Sequence, residues 1–392
     1  HKGLRAHLCE RIREEIQMAF SFSTRAARTA LASAAMLVLS LVAVPAAQAY
    51  NPDIDGDGIG NILEMRGYDG NRDGKLEIDY PGMGANPLKK DLFVEMDYMP
   101  GLLASEEELD RITEIFANMP IRNPNGTTGI NLHLDAGNAR SAKYNLGGGN
   151  EVPYQQLDST MEKWYEIRRA NMDPDRGPAF HYMIWGDAHD EYGSSGLGYI
   201  GGLGFVVTVG PRFWGKSATS DVRVATFVHE LGHNLGLRHG GTEDVNYKPN
   251  YMSIMNYRYQ LRGIERPDGT KYFGYSTRVY KDLDENKLDE KTGFGRNAYG
   301  LYYRGAPAWE AIDFNRNGKI DDEPVSVDLN RDGEKTILTA PNDMKNIKLP
   351  ATDVDYNEDG ANSSEQKFSG EIEENEMTAD RARAEGLVPA KD

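Results

Sequence analysis

The stretch His229-Glu230-Leu231-Gly232-His233-Asn234-Leu235-Gly236-Leu237-Arg238-His239 constrains this chain more than any other part of it. It reads H-E-x-x-H-x-x-G-x-x-H. On a helix, His229 and His233 sit one turn apart on the same face, and two imidazoles so spaced can share one tetrahedral zinc ion. Gly236 lets the helix stop in a left-handed turn that a side chain would resist. The chain can then swing back so that His239 offers a third nitrogen. Three protein ligands leave one position for water, the pattern of a catalytic rather than a structural zinc. Glu230 lies next to the first ligand and reads as a base that works on a water rather than as a ligand itself.

Met255 follows sixteen residues after His239, within Tyr251-Met252-Ser253-Ile254-Met255-Asn256-Tyr257. The long zinc motif followed by S-I-M-N-Y resembles the metzincin clan of zinc endopeptidases. The resemblance spans roughly residues 91–260, with its sharp motifs at 229–257. It implies an α+β fold, in which a twisted mixed sheet with packed helices carries the H-E-x-x-H motif on an active-site helix. It also implies that Met255 forms an apolar floor beneath the zinc ligands. Tyr257 takes the place of the tyrosine that, in the astacin and serralysin branches, reaches the metal site and stabilises the oxyanion. Two features depart from the known branches: Gly240 follows the third histidine, and the glycine-rich nonapeptide repeats of serralysins are absent. The lead-in Asn246-Tyr247-Lys248-Pro249-Asn250-Tyr251 is similar to that of uncharacterised secreted bacterial metzincins. The implied activity is hydrolysis of protein or peptide substrates, with zinc on His229, His233 and His239 and Glu230 as general base.

The N-terminal region has the order of an export signal. Arg25 and Arg28 precede an apolar run from Ala30 to Val44, and Pro45 and Ala47-Gln48-Ala49 follow it. The run is shorter than the ~20 residues of a membrane span, so cleavage near Ala49 is expected, with the mature chain secreted or periplasmic and free of a membrane span. Met18 is a plausible start, which would leave 1–17 upstream of it. The single cysteine, Cys9, falls in the part removed, so disulfides cannot staple the mature loops. The formal net charge of −17 argues against a nucleic-acid partner, which requires a basic face.

Much of the acidity lies in loops that read as calcium sites. Asp53, Asp55, Asp57, Asn61 and Glu64 fall at positions 1, 3, 5, 9 and 12 of an EF-hand-type loop, with Gly58 at the turn and the Ile59 carbonyl at position 7. Shorter copies run through Asp69, Asn71, Asp73 and Glu77, through Asp313, Asn315, Asn317 and Asp321, and through Asp328, Asn330 and Asp332. Asp355–Gly360 is a weaker fifth. Asp282–Asn286 lacks the glycine and fits a solvated turn as well. Each loop taken singly also fits a polar turn; their recurrence on both sides of the zinc motif points to structural Ca²⁺, several ions per chain.

The chain divides accordingly into the signal at 1–49, a calcium-binding segment at 50–90, a catalytic domain at 91–278, a second loop-bearing segment at 279–360 and an acidic mobile tail at 361–392. Within the catalytic part, Asp91–Tyr98 alternates as a strand and Ser105–Glu108 forms a capping box for a helix to about Met119. Ser159 to about Asn171 is a second helix. Tyr182–Trp185 and Phe205–Val209 are strands, and Asp221 caps a helix from Val222 to Leu235. The glycine-rich run Gly196–Gly204 admits two readings, a cleft-lining edge strand on which substrate could pair or a plain surface loop. His181, Asp187 and His189 read as structural or solvated before they read as a second metal site. The rival function is a calcium-dependent surface or matrix-binding protein with a vestigial zinc site, which leaves Glu230 without a use. A zinc hydrolase acting on something other than protein is a third reading, which the Met-turn disfavours.

Overall fold

The computed structural model describes residues 52–349, 371–372 and 376–390. The expected export signal at 1–49, Cys9 within it and the acidic loop at Asp355–Gly360 lie outside the described residues.

Strand β1 (Asp91–Tyr98) is buried on both faces, not on one as its alternation predicts; only Tyr98 is partly open. The reason is its central place. It pairs in parallel with β2 (Asn131–Asp135) on one side and with β3 (Phe180–Trp185) on the other, and parallel strands are covered on both faces. Its acidic residues therefore need buried partners. Arg176 reaches Glu95 at 2.7 Å and Asp135 at 2.6 Å, and Tyr182 donates to Asp97. Beyond β3, β5 (Gly204–Val207) continues in parallel, and β4 (Gly196–Ile200) turns back antiparallel to β5. Residues 264–338 add β6 (Ile264–Glu265), β7 (Lys271–Tyr272), β8 (Leu283–Asp284), β9 (Tyr302–Tyr303), β10 (Ala306–Pro307) and β11 (Ile337–Leu338), arranged as two small antiparallel sheets. A last strand, β12 (Glu371–Ile372), pairs antiparallel with β4. The main sheet thus runs β12-β4-β5-β3-β1-β2.

Helices α1 (Asn61–Arg66), α2 (Glu106–Ala117), α3 (Glu162–Asn171), α4 (Ser220–Asn234) and α5 (Ala379–Ala384) complete the described regular structure. Ser105 and Glu108 form the predicted capping box of α2. Helix α3 starts later than Ser159 because the Asp158 carboxylate takes the amides of Thr160, Glu162 and Lys163. Helix α4 is capped by Thr219 rather than Asp221, which instead pairs with Arg111 at 2.6 Å. Helices cover both faces of the sheet. On one, Phe227 of α4 stacks on Trp185 and meets Phe205 edge-on. On the other, Trp164 of α3 meets Tyr182 and Tyr199 edge-on.

The expected mobile tail needs correction. Residues 371–372 extend the main sheet, 379–384 are helical, and Met377, Ala379 and Ala382 are buried in the core beside α4. Its acidic composition misleads because the strand pairs through its backbone, and only a few small side chains are needed to dock α5.

Candidate metal centre

Helix α4 carries His229, Glu230 and His233, all fully buried. After His233 the helix closes with two bonds, Gly236 N–H to the His233 carbonyl and Leu237 N–H to the Gly232 carbonyl. Gly236 sits at φ 87°, the left-handed position predicted for it. The chain then returns His239, and ring nitrogens of His229, His233 and His239 converge within 4.8 Å of one another.

The protonation of two of these rings follows from their partners. His229 Nδ1 lies 2.9 Å from the Ile254 carbonyl and His233 Nδ1 lies 2.9 Å from the Leu237 carbonyl. A carbonyl only accepts, so each Nδ1 carries the proton and each Nε2 keeps its lone pair. Those two Nε2 atoms face each other at 3.1 Å. Lone pairs aimed at one point repel unless a cation lies between them, so this donor set fits a metal ion. Burial holds His229 and His239 neutral, the form that ligates. It is the main cause pushing His229 well below the usual imidazole range, with His233 and His239 adding to it, and it brings His239 down to about 3.

The surroundings hold this geometry. Met255 is fully buried and lies directly under α4, where a Cβ on Gly232 would stand 2.3 Å from its sulfur. A residue with a side chain at 232 would push the floor away. The turn bearing Met255 is fixed by Asn256, whose amide donates to the Lys248 and Tyr251 carbonyls. Asp343 takes the Tyr251 hydroxyl at 2.8 Å, the Ser253 hydroxyl at 2.6 Å and the Ser276 amide at 2.7 Å. Gly240 is also required, since a Cβ there would meet the Glu243 and Val245 carbonyls at 2.6 and 2.7 Å.

The open question over Gly196–Gly204 resolves as two strands. Asn234 of α4 donates to the Tyr199 and Gly204 carbonyls and accepts from His181, and Gly201 N–H reaches the His233 carbonyl. This sews β4 and β5 onto the motif helix. The glycines permit the close approach: a Cβ on Gly196 would lie 2.5 Å from Glu230 Oε1, and one on Gly198 would lie 2.9 Å from the Glu230 carbonyl. Tyr257 is buried with its ring 4.3 Å from that of His239, and its hydroxyl donates to Glu376 at 3.0 Å. Carboxylate oxygens of Glu376 and Glu230 and a ring nitrogen of His229 lie within 4.8 Å of one another.

Residues 123–240 match the model of a metallo-peptidase family, M12B, reprolysin-like. The matched stretch contains β2 to β5, α4 and all three histidines, and it supports a zinc-dependent metallopeptidase domain. Comparison with curated proteins gave no match.

The remaining predicted ligands are placed unevenly. In the first loop, Asp53, Asp55 and Asp57 form one convergent group, and Asp57, Glu64 and Asp91 another. Both oxygens of Glu64, a fully buried side chain, lack a hydrogen-bond partner. Asn61 turns its Oδ1 to the Ile54 amide, and Ile59 donates to Asp57. Loops two to four share the first loop's backbone, with a left-handed fourth residue (Gly56, Arg72, Arg316, Arg331) and a left-handed glycine at position six. Their side chains, however, bond among themselves: Asn71 to Glu77, Asn315 and Asn317 to Asp321, Asn330 to Asp332. Asp69, Asp313 and Asp328 accept amides of their own loops, and Asp73 accepts the Lys75 amide. His181 and His189 are held by Asn234 and Thr208, and Asp187 takes the Arg212 amide, so these three do not join as a metal group among the described residues. Sequence reasoning missed Asp91, Asn234, Asp343 and Glu376. It also missed Glu285 and Glu290, whose carboxylates take the amides of Leu329 and of Phe314. Only Asn234 lies near enough to a motif to have been singled out.

Proposed function

We propose that this chain is an exported zinc endopeptidase of the metzincin type. The observation that carries the reading is the convergence of three buried imidazoles, two of them with Nδ1 committed to a carbonyl. His229, His233 and His239 would hold the ion. Bound there, zinc supplies Lewis acidity toward a scissile carbonyl and acidifies a water. Glu230, buried beside His229, takes the proton of the attacking water and returns it to the leaving amine. The Tyr257 hydroxyl donates to the developing oxyanion. Met255 keeps α4 at its height and excludes water from below. Exported by the segment near Ala49, the mature chain has no cysteine, and calcium in the first loop takes over the stapling. The buried, unpartnered Glu64 among Asp55, Asp57 and Asp91 supports that site best. No helix among the described residues is long and apolar enough to cross a membrane.

The test is hydrolysis of casein by the zinc- and calcium-loaded chain beside its Glu230→Ala variant. Because Glu376 stands against the site, both are also made in a Glu376→Ala background. Cleavage that disappears with Glu230, while bound zinc stays near one per chain, is the expected result. A folded, zinc-bound protein that cleaves nothing in either background would overturn the reading.

A further inference from the structure

The outer edge of β4 is where an extended peptide would add to the sheet, and the chain has already placed a piece of itself there. Glu371 and Ile372 pair antiparallel with Ile200 and Tyr199. Six residues on, Thr378 bridges Ser194, and Ser195 N–H donates to the Met377 carbonyl at 2.9 Å. The segment therefore pairs beside β4 at two places, and next to the second of them Glu376 meets the Tyr257 hydroxyl beside His229 and Glu230. It is clasped at both ends. Arg238, next to the third histidine, pairs with Glu371. At the other end, Arg383 donates to the Phe213 carbonyl, Arg381 lies over the Tyr247 ring at 4.5 Å, and Ser217 donates to the Pro389 carbonyl. A cavity of about 650 Å³ remains between segment and cleft wall, bounded by Tyr192, Leu197, Ile372 and Glu376. The segment covers the backbone-pairing edge and leaves this side pocket open.

Resting on the peptidase reading, we infer that residues 371–372 and 376–390 form a built-in competitor for peptide substrates, with β12 on the substrate edge of β4 and Glu376 over the reacting groups, so that the chain is latent until the segment leaves. Backbone pairing is the means by which a sheet edge holds an extended peptide of varied sequence. Because the competitor is tethered, its effective concentration is high and free substrate meets an occupied cleft. The buried Met377, Ala379 and Ala382 act as the latch, since they dock in the core and not in the cleft.

The experiment uses the full chain, wild type and three variants: Ala382→Arg and Met377→Asp, which undock the latch, and Glu376→Ala, which removes the carboxylate. Circular dichroism melts check that each is folded. The first readout needs no metal: anisotropy of a fluorescein-labelled synthetic peptide of residues 371–390, titrated with zinc-free protein. The two undocked variants bind the peptide at least about tenfold more tightly than wild type, because a site open only part of the time binds in proportion to that fraction. The second readout is casein hydrolysis after zinc loading, in which all three variants exceed wild type by about tenfold or more on the same argument. Equal peptide binding by folded wild type and undocked variants overturns the inference, as does equal and measurable hydrolysis by all four, and either leaves the peptidase reading standing. Tighter peptide binding by the undocked variants with no hydrolysis by any protein supports the occupied cleft and overturns the peptidase reading instead.

Discussion

At Gly196 a missing side chain decides where the Glu230 carboxylate can sit. Its Cα lies so close to Glu230 that an added Cβ would come within 2.5–2.7 Å of three atoms of that side chain. Gly196→Ala therefore displaces the carboxylate while leaving the histidines untouched. Misplacement of a reacting group by about 1 Å can lower turnover about 10²-fold, so a loss of that order with zinc content unchanged is expected from kinetics and metal analysis. Loss of zinc in parallel would show that the strand, and not the base, had moved. Tyr257→Phe asks a different question of the same cleft. Deleting an oxyanion donor lowers kcat about 10²–10³-fold in known cases, and here KM and bound zinc should stay near the parent values. A variant that keeps its kcat would remove Tyr257 from the reacting groups. Neither glycine nor tyrosine announces such a role by spacing alone. The place of Tyr257 beside His239 was legible through the motif that ends on it, whereas Gly196 was one of several glycines until β4 was seen lying on Glu230.

Among the elements, what could be read in the sequence depended on whether its signal was local. The capping box of α2, the glycine ending α4 and the convergence of the three histidines were legible because capping, helix ending and histidine spacing are settled within a few residues. Strand β4 was not. Glycine is a poor strand former, and its presence there is set by a helix some thirty residues away that must come close. The fixing of the Met-turn was hidden for the same kind of reason. Asp343 lies far along the chain from Ser253 and Tyr251, yet its carboxylate receives both hydroxyls and the Ser276 amide while fully buried. Burial raises its pKa to about 7, against the pull of those donors. Asp343→Ala leaves three buried donors without an acceptor, and at about 1–3 kcal/mol for an unsatisfied group the loss should reach about 3 kcal/mol or more. Denaturant unfolding checks this. A change under about 1 kcal/mol would mean that water replaces the carboxylate and that Asp343 is dispensable to the turn.

Across the whole molecule, a chain with net charge −17 and no disulfide available after residue 9 must manage its own acidity. The cluster at the start of β1 shows how. Burial first, then neighbouring carboxylates, lift Asp57 to about 8 and Glu64 to about 9; burial and a hydrogen bond with Asp53 bring Asp55 to about 6. All three folded values lie above the unfolded ones, so the folded chain binds more protons between them and stability falls as pH rises. Without a cation, this contribution is fully present below about pH 4 and is lost progressively as pH climbs from about 4 through the folded values, the last of them at about 9. A divalent ion reverses the preference by holding the carboxylates charged. Calcium at about a hundred times its Kd adds about 2.7 kcal/mol, or about 5 °C in Tm for a unit of this size. Melting curves at pH 5 and pH 8.5, in chelator and in millimolar calcium, should therefore diverge: the chelated protein loses Tm at the higher pH and calcium restores it there. Glu64→Gln should reduce the slope in chelator, leaving the share of Asp55 and Asp57, and abolish the calcium increment, because the same buried carboxylate contributes to both. If calcium leaves the Tm at pH 8.5 unchanged, the loop at 53–64 is an ordinary acidic turn, and the fold must tolerate its buried charge through the contacts of Asp57 and Asp91 alone.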